Sequence, residues 1–342
     1  MRVNKLLRNS VLAAFIGAGI GVAQAADDAS TNLSGRIYWD FSDKTIKKDG
    51  VNQPGSGYGF DVTRFYLGVD HKFDDTWLLD LTTDFSYDSA HGKSDLFVKK
   101  AFIEGNFDPL FKLRLGSTDM PWIPYVEDAY GFRYVEKTII DRFGFGNSAD
   151  WGAHAQGKQG IFDYQLSAVN GAGFSNVSGR SKRIDYEARL GLHPLEGMIL
   201  AAGLYNGKLG QSQEGTNAPH TNTRYDALLA YVGHGARAGF EYFQSKNPKA
   251  ANITGTEDKA NGYSVFASYE VYKPVTVFGR YDWTKLSKDV DPSKKDTYFN
   301  VGAEYAVRKG VRFSLVYKWD RVKSDTTQTK TDEIGLFSEV RF

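Results

Sequence analysis

Histidine is the side chain most able to move protons or hold a metal near neutral pH. The six histidines of this 342-residue chain, at 71, 91, 154, 193, 220 and 234, are scattered, and no pair has the spacing of metal ligands. There is no cysteine, which excludes disulfides and thiolate metal sites. Asp289-Val-Asp291-Pro-Ser-Lys-Lys-Asp296 offers oxygen ligands but lacks the glycine and closing glutamate of a calcium loop, so it reads as a solvated loop tip. Gly233-His234-Gly235 reads as a turn. No nucleophile and base can be read as neighbours. The residues predict no catalytic site, no metal and no cofactor.

The remaining chemistry is charge at two-residue spacing. Arg64, Lys100, Arg114, Arg189 and Arg280 could form a track for anions, because guanidinium groups bind phosphate and carboxylate oxygens bidentately. Acidic neighbours oppose this reading: Asp80 and Asp84 stand between Arg64 and Lys100, Glu104 adjoins Arg114, and Asp282 is two residues from Arg280. Opposite charges on adjacent strands stabilise a sheet and cancel much of each other's field. The alternative to a track is therefore a salt-bridged wall. Across the chain 42 Lys and Arg balance 41 Asp and Glu, without the basic excess that phosphate contacts to nucleic acid demand.

Placing such side chains requires regular elements. Residues 1–25 stand apart: Arg2, Lys5 and Arg8, an apolar stretch from Val11 to Val22, and Ala23-Gln24-Ala25 have the form of a cleaved export signal. The remainder, 26–342, has apolar and polar residues alternating with period two, as in Ile37, Trp39 and Phe41 against Arg36, Tyr38 and Asp40. The pattern recurs sixteen times. Tight turns, such as those at Asp108-Pro109 and Gln159-Gly160, alternate with polar excursions such as 44–59, 209–222 and 323–331. Short turns at one end and long loops at the other are the signature of an outer-membrane barrel. The predicted fold is all-β: a transmembrane antiparallel β-barrel of about sixteen strands, in contact with outer-membrane lipid. A barrel of this size leaves an aqueous channel, which explains the charged face. Trp77, Tyr87, Tyr205, Tyr231, Trp283 and Trp319 near strand ends suit interfacial girdles.

Residues 119–150 make the longest connection. It is too aromatic for a disordered loop, with Trp122, Tyr125, Tyr130, Phe132 and Tyr134 among its residues, and should pack on something. An inward constriction loop is expected, bearing Trp122, Tyr125, Glu127, Asp128 and Arg133; an external cap or subunit contact is the alternative.

Several stretches resemble the phosphate-selective porin O and P family. Val62-Thr-Arg64-Phe-Tyr-Leu-Gly68-Val69 is similar to its second strand, and Ala101-Phe-Ile-Glu104-Gly-Asn106-Phe-Asp108-Pro109 with Leu113-Arg114-Leu-Gly116 to its fourth and fifth. Ser148-Ala-Asp150-Trp151-Gly152 and Val169-Asn170-Gly171-Ala-Gly173 resemble the sixth and seventh. The C-terminal Phe342 resembles the assembly signal of bacterial outer-membrane proteins. The resemblance implies a homotrimeric porin in the bacterial outer membrane, passing small hydrophilic solutes or ions, anions such as phosphate among them. The segment Ser117-Thr-Asp119-Met-Pro121-Trp122 departs from the family's lysine-containing pattern, so architecture is implied more strongly than phosphate. A closed-lumen barrel with a binding, adhesion or enzymatic role is the alternative.

Overall fold

The computed structural model describes residues 29–88, 93–176, 180–213, 216–217, 220–248 and 256–342. The expected leader, 1–25, lies outside the described residues. Sixteen strands form the wall: β1 (Ser30–Lys48), β2 (Gly57–Lys72), β3 (Trp77–Asp88), β4 (Lys93–Asp108), β5 (Phe111–Asp119), β6 (Ala149–Gln159), β7 (Phe162–Val169) and β8 (Asp185–Leu192). They continue as β9 (Met198–Gly207), β10 (Asn222–Gly233), β11 (Ala236–Lys246), β12 (Lys259–Tyr272), β13 (Val275–Lys285), β14 (Lys295–Arg308), β15 (Val311–Lys323) and β16 (Gln328–Arg341). Each pairs antiparallel with its sequence neighbour, and β16 returns to β1 from Arg36↔Arg341 to Lys48↔Thr329, so the barrel closes.

Burial follows the two-residue period. On β10, Asn222, Arg224, Asp226 and Leu228 are buried inside while Tyr225 and Leu229 are exposed outside. At the closing seam the Phe342 ring lies over Gly35, where a Cβ would come within 2.3 Å of the ring, which explains the glycine that breaks the apolar set of β1.

Three features depart from simple alternation. Strands run past the apolar zone at the long-connection end, so the expected 323–331 excursion shrinks to 324–327; paired strands keep their hydrogen bonds where both faces are polar. Bulges interrupt β1/β2 at Tyr38 and β3/β4 at Thr82. The β2/β3 ladder covers only Gly68–Lys72 with Leu78–Thr82, so the strands part toward the long connections, where the Leu67 amide donates to Thr83 Oγ1. Tyr205 is a correction to the expected girdle: it points inward, is 3% exposed, and donates to Asp185 at 2.6 Å. It stands at an odd position on β9, in phase with the inward Gly203 and Gly207, which sequence position near a strand end does not reveal.

Candidate functional site

The connection 120–148 carries two helices, α1 (Ile123–Tyr130) and α2 (Ile139–Phe143). Pro124 stands in the first turn of α1, where its missing N–H costs no helical bond, and Gly131 ends it at φ 80 with its amide donating to the Glu127 carbonyl at 2.8 Å. Gly144, at φ 60, ends α2 likewise.

The segment meets the inward faces of strands around much of the barrel. Trp122 Nε1 donates to Glu241 on β11 at 2.9 Å, and its ring fills space above Gly203, where a Cβ would lie 2.6 Å from it. The Tyr134 hydroxyl reaches Glu304 at 2.7 Å and Ser314 at 2.5 Å. Arg142 spans three carboxylates on consecutive strands: Asp282 at 3.1 Å, Asp296 at 3.4 Å and Asp320 at 3.1 Å. Backbone carbonyls of the segment are taken by wall arginines, Pro121 by Arg189, Lys137 by Arg280, Phe145 by Arg224 and Gly131 by Arg312. Between these clamps Ile123, Val126, Phe132, Ile139 and Ile140 form a dry core with wall residues Leu228, Phe243, Phe266, Phe278 and Val316. Phe132 and Phe278 stack at 4.1 Å. One side of the lumen is thus filled.

The other side holds two polar cavities. A cavity of about 450 Å³ is lined by Asp40, Lys44, Asp61, Arg64, Arg133, Glu136, Lys137, Lys318 and Glu333 among others. A second, of about 400 Å³, is lined by Arg36, Tyr38, Tyr66, Lys99, Lys100, Asp119, Glu127, Asp128 and Arg133, with Arg341 and Phe342. Since β1 runs from the short-turn end to the long-connection end, the first lies toward the long connections and the second toward the short turns. Arg133 borders both.

Arg133 is itself restrained by Glu127 at 2.5 Å and Asp141 at 3.2 Å. Burial pushes the Glu127 carboxyl above the usual carboxylate range despite Arg133 and Lys99 nearby. Burial alone would raise Glu136 too, but Lys318, Arg142 and Arg280 outweigh it and hold its carboxyl at about 2.

The sequence-predicted residues fall into three groups. Arg64 (3.7 Å from Asp84), Lys100 (paired with Asp119), Glu127, Asp128 and Arg133 border the cavities. Arg189, bound to Asp163 with its guanidinium 3.7 Å from the Tyr125 ring centre, and Arg280, bound to Asp282 at 2.6 Å, are buried and clamp the inner segment together with Trp122. Arg114 is bound by Glu104 at 2.6 Å, and Asp80 accepts from Thr82 at 3.1 Å; neither borders the two cavities. Lys99, Arg142 and Lys318 were not legible as site residues. Lys99 occupies the bulge opposite Thr82 and Thr83, and turns inward beside Lys100, where strict alternation would turn it out.

A closed barrel with an apolar exterior, a charged interior and a segment of its own chain packed inside the lumen defines an outer-membrane channel. The chain belongs to the Gram-negative porin family, whose sequence pattern matches residues 10–325, and it resides in the bacterial outer membrane. The match is to these porins in general. No curated protein matches the chain in sequence. Among solved structures it is similar to DcaP, an outer-membrane channel of Acinetobacter baumannii (TM-score 0.67, 13% identity, 93% of this chain and 99% of that one). It is also similar to an anion-selective porin from Comamonas acidovorans (0.63, 14%, 92% and 100%) and to OmpT of Vibrio cholerae in trimer form (0.60, 14%, 92% and 100%). At these identities the likeness is one of fold.

Proposed function

We propose that small hydrophilic solutes and ions diffuse along the β1–β4 and β16 side of the lumen and pass Arg133 between the two polar cavities, so that 119–150 acts as the constriction loop. The observation that carries this reading is the sharing of Arg133 by both cavities while the opposite side of the lumen is filled by a dry core. Selection is by radius and lining charge, without turnover.

The lining supports a modest anion preference and no phosphate-specific cluster. Lys44, Arg64, Arg133, Lys137 and Lys318 face Asp40, Asp61, Glu136 and Glu333 in one cavity. Screening limits an unpaired charge to about 8 Å at physiological salt, so residues beside Arg133 outweigh the chain's total. Reversal potentials in a KCl gradient test this. Wild type should be weakly anion-selective and Arg64→Ala less so, with Arg114→Ala unchanged; an equal loss in both would contradict the assigned passage.

A homotrimer is part of the same reading. The unpaired stretch between β2 and β3, bearing exposed Phe60 and Tyr58, leaves strand edges that hydrocarbon cannot satisfy and that a neighbouring copy would cover. The resemblance to trimeric porins supports it, and mass measurement in mild detergent checks it.

A further inference from the structure

Beneath α2 the wall holds more negative charge than the cations around it answer. Arg142 reaches three carboxylates on consecutive strands, but Asp282 already has a partner: Arg280 Nε donates to its Oδ1 at 2.8 Å and Nη2 to its Oδ2 at 2.6 Å. Of the other charges facing this point, Lys318 lies between Glu136 at 3.6 Å and Glu333 at 3.4 Å, and Asp141 is taken by Arg133. Tyr298 offers its ring, whose centre is 4.0 Å from the guanidinium carbon of Arg142. Among the described residues Arg142 is thus left to answer both Asp296 and Asp320.

These two carboxyls are neighbours. The register pairs Tyr298 of β14 with Asp320 of β15 and Asp296 with Val322, so Asp296 and Asp320 stand diagonally on the inward face. Arg142 Nη1 donates to Asp296 Oδ1 at 3.4 Å, and Nη2 donates to Asp320 Oδ2 at 3.1 Å. The remaining oxygens, Asp296 Oδ2 and Asp320 Oδ1, are buried and have no donor among the described residues, while the two carboxyls lie within hydrogen-bond reach of each other. Asp296 is fully buried, whereas the Asp320 side chain keeps 29% of its exposure.

Two facing acceptors with one negative charge too many between them call for a hydrogen. Like charges sharing a site away from water cannot both stay ionised without a large cost. A metal ion there would lie against the Arg142 guanidinium. A proton taken from water instead turns one carboxylate into an O–H donor and removes the excess charge at the same time.

We propose that Asp296 and Asp320 share one proton at neutral pH: the O–H of one carboxyl donates to the other carboxylate, and the pair, closed on its far side by Arg142, fastens α2 to the wall. Raising the pH passes that proton to hydroxide. The two carboxylates then repel, and Asp320, the more exposed, turns to water and gives up Arg142 Nη2. The fastening therefore weakens as pH rises, because the folded state holds a proton that the unfolded chain has already lost.

Infrared spectra of the folded porin in detergent, titrated upward from neutral pH and repeated in D2O, test this. Wild type should show a protonated-carboxyl C=O band that is lost on titration. Asp296→Asn and Asp320→Asn, whose amide N–H can donate where the shared proton did, should each lack part of that loss. Asp332→Asn, at the carboxylate paired with Arg321, should keep all of it. The temperature at which the folded gel band is lost should fall with rising pH in wild type and stay flatter in both amide variants, with heat-dependent gel migration at neutral pH establishing that these are folded. A band loss undiminished in both amide variants would mean that water or another group bridges the two oxygens and would overturn the proposal. Parallel pH dependences of melting for wild type and the two variants would overturn it as well.

Discussion

Arg133 lines both cavities and is paired at 2.5 Å with Glu127, which lines the second, so the charge beside Arg133 depends on protonation of that carboxyl. Because burial raises the Glu127 carboxyl, it takes up a proton at a higher pH than an ordinary glutamate. Falling pH then removes a negative charge beside Arg133 and leaves its positive charge uncompensated, so anion preference rises. A unit charge 4 Å from an ion in water is worth about 1 kcal/mol, a factor of about five in permeability ratio. Glu127→Gln should therefore be more anion-selective than wild type at neutral pH, by up to that factor, with a flatter dependence on pH; parallel pH curves for the two proteins would remove Glu127 from the passage. The sequence made Arg133, Glu127 and Arg64 legible as charged residues in the right segments. It could not separate Arg64, which borders a cavity, from Arg280, which is buried against Asp282 and Lys137, because both share the inward phase. Phase tells which side of the wall a residue faces, and only the folded inner segment decides which inward residues stay wet.

The inner segment lies within the lumen, and Arg142 ties it to three strands at once. Its guanidinium is shared by Asp282, Asp296 and Asp320, all from the strand face that lines the lumen. Removing one partner of a buried ion pair costs roughly 3–5 kcal/mol, because the remaining charges lose their compensation. Arg142→Ala should lower the temperature at which the folded gel band is lost and add flicker to single-channel currents; an unchanged band and quiet channels would show that the dry core alone holds the segment. Deleting Trp122–Tyr134 should raise conductance in barrels that still assemble, and unchanged conductance would mean that the segment does not limit flow. The strands themselves were readable because a half-buried sheet writes its period into the sequence, as in Tyr225, Ala227 and Leu229 against Arg224, Asp226 and Leu228. The helices α1 and α2 left a weaker mark, since eight and five residues give barely two turns and one. Bulges left none, and Lys99 owes its inward position to one.

At the scale of the whole molecule, the balance of 42 basic and 41 acidic residues conceals an uneven distribution. Opposite charges are paired across the inner wall, cations and carboxylates together line the two cavities that share Arg133, and a separate cationic group sits on the outer rim beside Trp319. Folded protein in detergent should give a strand-dominated circular dichroism spectrum, and a helical spectrum would contradict the barrel. The native chain contains no cysteine, so a single thiol can report on the path itself. The direct measurement is single-channel current in planar bilayers through the Arg133→Cys variant, before and after a bulky charged methanethiosulfonate reagent. The steps should be ohmic and fall sharply on modification, while Phe243→Cys, within the dry core, keeps its current. Full current through a variant that mass spectrometry shows to be modified at position 133 would contradict a passage beside Arg133.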